Sequence, residues 1–221
     1  MQEHNFTLKD LFKREWLPSL ISALTLLVIA YIVEHYTNIY AFEYSLRPTS
    51  NHVGDLILDN IPVIDLNFII IEGALLSIVL GTLFVLSKPR YVLFTLKSLA
   101  LFIIIRALFV SLTHVGIYPE HITPGLGFFD GIYLYLNFQT GLFFSGHTGL
   151  PFLMALIFWK KFPVRIVFLS LSFIFAVAVL VAHTHYSIDV FTAPFMAYCI
   201  FKIVRHFFPR DYELTESTPM P

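Results

Sequence analysis

Two short motifs hold the residue types that could do chemistry, Ser145-Gly146-His147-Thr148 and His185-Tyr186-Ser187-Ile188-Asp189. Two imidazoles and a carboxylate suffice for phosphoryl transfer. One imidazole attacks phosphorus, the other moves a proton, and the carboxylate orients the attacker. Asp189 follows His185 by four positions, so on a helical start the two share a face within hydrogen-bond reach. The carboxylate would fix the tautomer of that ring and direct its other nitrogen to the attack. An interfacial His–Asp pair capping a membrane span would use the same residues.

Ser-Gly-His-Thr reads as a helix start. The N–H groups of a first turn favour an anion, Gly146 lets the backbone approach it closely, and Ser145 can cap the turn or donate a hydrogen bond. His147 would then protonate a departing alkoxide. Taken alone, the motif is equally an ordinary N-cap; the pairing of the two motifs is what gives it meaning.

The elements that must position these residues are apolar. Of 221 residues, 57% are hydrophobic and only 13% charged, which excludes an ordinary soluble domain. A net charge of −1 gives no reason to expect a nucleic-acid partner. Cys199 is the sole cysteine and lies in an apolar run, so neither a disulfide framework nor a thiolate metal cluster can form. The charges from Lys9 to Glu15 and the absence of a small-residue cleavage site give no secretory signal pattern.

The hydropathy pattern predicts an all-α, polytopic membrane protein of six transmembrane helices. The spans run roughly over 17–35, 66–87, 91–114, 146–159, 164–182 and 187–204, the fourth being short and starting in the headgroup layer. Residues 1–16 are expected to form an interfacial amphipathic helix, with Phe6, Leu8, Leu11, Phe12 and Trp16 at helical spacing. Residues 17–210 would form one catalytic domain and 211–221 a disordered polar tail.

Lys9, Lys13, Arg14, Lys88, Arg90, Lys160, Lys161, Arg165, Lys202, Arg205 and Arg210 all fall on one face of this topology. The other face has only Arg47, while Lys97 and Arg106 lie within span three. The positive-inside rule makes both termini cytoplasmic and puts both histidine motifs on the opposite face. There they meet lipid headgroups, in a bacterial periplasm or, in a eukaryote, a Golgi lumen; the compactness of the chain favours a bacterial inner membrane.

The paired motifs resemble those of the type 2 phosphatidic acid phosphatase superfamily, particularly its sphingomyelin synthase branch. That branch has a Ser-Gly-His-Thr segment before span four and a His-Tyr-Thr-Ile-Asp-Val-like segment before span six. Here the second reads His185-Tyr186-Ser187-Ile188-Asp189-Val190, preceded by Ala182-His183-Thr184. Upstream, Ile61-Pro62-Val63-Ile64-Asp65 resembles the branch's Pro-rich segment before span two, and Arg106 resembles its arginine in span three.

The resemblance implies that His185 is the nucleophile forming a phosphohistidine, Asp189 its orienting partner, and His147 the general acid and then base. It implies transfer of a phosphorylated headgroup from a glycerophospholipid donor to a lipid alcohol such as ceramide or diacylglycerol, with no metal or cofactor. Water in the acceptor's place would give a phosphohydrolase or phospholipase-C-like enzyme. The Lys-x6-Arg-Pro motif typical of the superfamily's phosphatases is missing, and Val179 stands where they carry an arginine. Those guanidiniums clamp a dianionic monoester, so a singly charged phosphodiester is the better-matched substrate here. A metal-binding membrane carrier is the reading from a different class, but its ligands would be spaced through the membrane rather than crowded at one edge.

Ser145, Gly146, Thr148, Arg106 and His183 are the expected phosphate and substrate contacts. Arg106 lies roughly 12 Å and Glu72 roughly 10 Å below the outer ends of their spans, which predicts a buried ion pair between them. Lys97, nearer the inner end, is expected to snorkel. His183 could reach a headgroup only from an extended link. The loop from Tyr118 to Gly141 is placed to fold over the site.

Overall fold

The computed structural model describes residues 6–45, 52–113, 115–121 and 143–216, and these form helices with no strand among them. Among the described residues seven α-helices follow one another: α1 (Leu17–Ser45), α2 (Asn67–Ser87), α3 (Val92–Leu112), α4 (Gly146–Ile157), α5 (Phe162–Val181), α6 (Ser187–Phe207) and α7 (Pro209–Glu216). Most of the loop expected to cover the site, and His114, lie outside the described residues.

Five of these helices, α1, α2, α3, α5 and α6, are long and apolar enough to cross a membrane. Large apolar side chains such as Leu24, Leu83, Phe173 and Phe195 are exposed on them, as a lipid-facing surface requires. The fourth expected span is α4, whose 12 residues make about 18 Å of helix against the ~30 Å of hydrocarbon. It starts low because Ser145, its cap, is tied to the first turn of α6, with the Ser145 N–H donating to the Asp189 carbonyl at 3.0 Å.

The helices gather on Phe94, Phe102, Phe144, Leu153, Phe158 and Phe168, all fully buried. Glycine brings α2 against its neighbours: a Cβ on Gly73 would stand 3.0 Å from the Phe175 ring of α5.

Four expectations are corrected. The first span does not end at 35 but continues to Ser45, because Thr37 and Asn38 bury their polar groups against α3, Thr37 reaching the Ser111 hydroxyl. The stretch before it is not a continuous surface helix. Asp10 accepts from the Thr7 N–H and pairs with Lys13, closing a 3-10 turn over Leu8–Phe12 that buries Leu11.

The other two corrections share a cause. Lys97 does not snorkel; its ammonium is buried, 2.5 Å from Asp211 and 2.8 Å from the Ser19 hydroxyl. The tail is therefore not disordered from Asp211 onward, since α7 delivers that carboxylate and continues to Glu216, which pairs with Lys160. A buried ammonium without a partner is far costlier than ordering two turns of helix. Arg210 over Trp16 and Tyr91 stacked on Phe158 gather at this end too, the end away from the histidine motifs.

Candidate active site

The second motif folds as a turn that delivers its histidine just ahead of α6. His185 is outside the helix and Asp189 is in its first turn. One carboxylate oxygen, Asp189 Oδ2, accepts the Tyr186 N–H at 3.1 Å and lies 3.4 Å from His185 Nδ1. The second distance is at the long end for a hydrogen bond. Both side chains are buried.

A clasp from the preceding loops holds this turn. Asp55 Oδ2 accepts the Ser187 N–H at 2.7 Å, and its Oδ1 accepts those of Ile57 and Leu58. Burial by itself would raise the Asp55 carboxyl. The N–H groups of Ser187, Ile57 and Leu58 outweigh it and hold the group below the ordinary carboxylate range. The Tyr186 hydroxyl donates to the Gly116 carbonyl at 2.8 Å, and that of Tyr118 donates to Asp59 at 2.7 Å.

The first motif folds as its sequence suggests. Ser145 caps α4, its hydroxyl accepting the Thr148 N–H at 3.4 Å. His147, two residues into the helix, faces His185 with ring centroids 6.1 Å apart and is backed edge-on by Phe175 at 6.0 Å. Gly146 lies under Arg106, where a Cβ would come 3.7 Å from the guanidinium Nε.

Arg106 is fixed from two sides. Its Nε donates to the Phe144 carbonyl at 3.1 Å, and Nη1 donates to Glu34 of α1 at the same distance. The predicted partner Glu72 is therefore displaced. The extension of α1 past residue 35 packs its outer half along α3 and brings Glu34, not the carboxylate of α2, to the guanidinium.

Glu34, Arg106, Gly146, His147 and His185 line one cavity of about 690 Å³, mouth included. Apart from Ser77 its other walls are apolar, among them Ile78, Phe102, Leu150 and Phe175. It is recessed: α3 continues six residues, about 9 Å, above Arg106. A phosphorus atom between the two imidazoles would be within reach of both, beside a guanidinium and a helix N-terminus, and with apolar walls for the rest of a lipid.

The structure thus brings together His147, His185, Asp189, Gly146 and Arg106. Ser145 and Thr148 stand behind the cavity as buried structural groups, Thr148 accepting the Ser172 hydroxyl on its carbonyl. His183 is not in the lining. It is buried under the edge-on ring of Tyr118, in a left-handed backbone conformation (φ 54°), and neither ring nitrogen has a hydrogen-bond partner among the described residues. Among the described residues no group of three or more His, Cys, Asp or Glu stands at metal-binding spacing.

Sequence reasoning missed Glu34 and Asp55 as site residues. Glu34 carried a signal, a carboxylate in an otherwise apolar helix, which is a functional candidate by default. Asp55 carried none, because a loop carboxylate is unremarkable until its acceptor geometry is seen.

Residues 140–207 match the family model described as PAP2 superfamily C-terminal. The matched segment takes in α4, α5 and α6 with both histidine motifs, and it supports the type 2 phosphatidic acid phosphatase superfamily without distinguishing among its branches. No curated protein matches the chain.

Proposed function

We propose, starting from the superfamily match, that this multi-pass membrane protein is a lipid phosphotransferase working through a phosphohistidine. At the coarser level the match already points to activity of the lipid phosphatase and phosphotransferase type. The observation that carries the finer reading is the 6.1 Å approach of His147 and His185 across an apolar-walled cavity that also holds Arg106.

Nδ1 of His185 is turned to Asp189, so Nε2 is the attacking atom. It bonds to the phosphorus of a glycerophospholipid headgroup while the bond to the diacylglycerol oxygen breaks, and His147 gives that oxygen a proton. In the return step His147 takes the proton of a lipid alcohol, whose oxygen attacks phosphorus as the N–P bond breaks. Asp189 holds the ring and stabilises the imidazolium that forms. Arg106 and the first turn of α4 offset the phosphoryl charge.

A single guanidinium with its own carboxylate partner suits a phosphodiester better than a dianionic monoester. The basic, α7-bearing end would face the cytoplasm and the cavity the periplasm or lumen.

The test incubates purified protein in vesicles with headgroup-labelled phospholipids, with and without ceramide or diacylglycerol, and follows the lipid products. Label moving to the added alcohol is expected. Release of free phosphorylated headgroup would make the enzyme a hydrolase, and no turnover of any lipid would remove the reading.

A further inference from the structure

Glu34 does more in the cavity than hold Arg106. Its Oε1 accepts from the guanidinium at 3.1 Å, while Oε2 is buried with no hydrogen-bond partner among the described residues. A carboxylate oxygen left without a donor is costly, and this one belongs to a residue lining the same cavity as both histidines. A negative group beside the phosphate position also works against substrate binding unless the substrate carries a compensating cation.

We propose, resting on the phosphotransferase reading, that Glu34 binds the protonated primary amine of the donor headgroup, making primary-ammonium phosphodiester lipids the preferred donors. With the phosphate at Arg106 and His185, the ammonium of a short amino-alcohol ester lies on the neighbouring wall where Glu34 stands. It supplies the N–H donor that Oε2 lacks, and a second positive charge beside that of Arg106. A quaternary ammonium has the charge but no N–H to give. An uncharged polyol headgroup has donors but no charge.

The test separates binding from turnover. The full chain with His185→Ala, which blocks the chemistry, is titrated in detergent with phosphatidylethanolamine, phosphatidylcholine and phosphatidylglycerol of identical acyl chains. The series is repeated with Glu34→Gln or Glu34→Asp added. The ethanolamine lipid should bind roughly tenfold tighter than either of the others. Glu34→Gln should reduce that preference to about twofold or less, and Glu34→Asp should retain part of it.

Equal affinities in the parent protein, or a preference that survives Glu34→Gln, would overturn the assignment. So would a Glu34→Gln effect equal for all three lipids, because Glu34 would then only brace Arg106. If Glu34→Gln fails to fold, the parent ratio and the Asp variant still decide. Selective binding without headgroup transfer by the unmodified chain would count against phosphotransfer and leave the Glu34 role standing. Transfer without selectivity would do the reverse.

Discussion

The N–H of Ser145 donates to the carbonyl oxygen of Asp189 at 3.0 Å, so the residue capping α4 is fastened to the first turn of α6. His147 follows the first of these residues by two positions and His185 precedes the second by four. The separation of the imidazoles is therefore set by main chain, which is stiffer than any side-chain contact. In the proposed mechanism, a phosphorus atom held between them would meet a gap that is built in advance.

With the gap fixed, His185→Ala should abolish turnover and phosphoenzyme formation together and leave membrane insertion intact. Asp189→Asn should lower kcat by on the order of 10²-fold with little change in KM, since it acts on the attacking ring. Rapid-quench detection of acid-labile phosphoprotein reads both. Undiminished labelling in the alanine variant would move the nucleophile elsewhere, and a pure KM effect at Asp189 would end its orienting role.

At Gly149 α4 packs tightly on α3: a Cβ there would stand 2.8 Å from Cζ of the buried Phe102 ring, which also walls the cavity. Gly149→Ala should cost about 1–3 kcal/mol by overpacking and narrow the site. Thermal unfolding in detergent micelles and kcat/KM both read this. Wild-type values for the pair would show that Phe102 yields freely.

The Lys97–Asp211 pair predicts a non-additive cycle. Asp211→Leu or Lys97→Met alone leaves a buried charge without its counter-charge and should destabilise by about 3–5 kcal/mol, whereas the two together should recover most of that loss. Denaturation of the four proteins in one detergent gives the coupling. Additive losses would mean that α7 is held by its other contacts.

Asp55 gives the clasp a pH dependence with a definite sign. Its carboxyl titrates below the ordinary range in the folded protein, so its contribution is complete above the unfolded value of about 3.9 and is lost as pH falls through the folded one. Hydrogen exchange at the Ser187 amide should stay slow from neutral pH down to about 4, after correction for intrinsic rates, and accelerate below that. Asp55→Asn should exchange fast throughout. A protected amide in that variant would show that the Tyr186 hydroxyl bonds hold the turn unaided.

Most of the helices and the two histidine motifs were legible in the sequence because the relevant signals are local. Helix starts, i to i+4 spacing and runs of apolar residues are properties of short segments, so α2, α3, α5 and α6 fall where hydropathy puts them, and Ser145 caps α4 as its type suggests. What sequence could not decide was partnership. Arg106 needed a carboxylate at its depth, and two helices offered one; only the course of α1 past residue 35 selects Glu34 over Glu72. Lys97 needed a counter-charge, and it came from a tail whose polarity reads as disorder until the buried ammonium is there to meet it. Spacing along one segment is written in the chain, but the choice among distant partners is settled by how helices lie against each other, and that follows from the packing of the whole bundle.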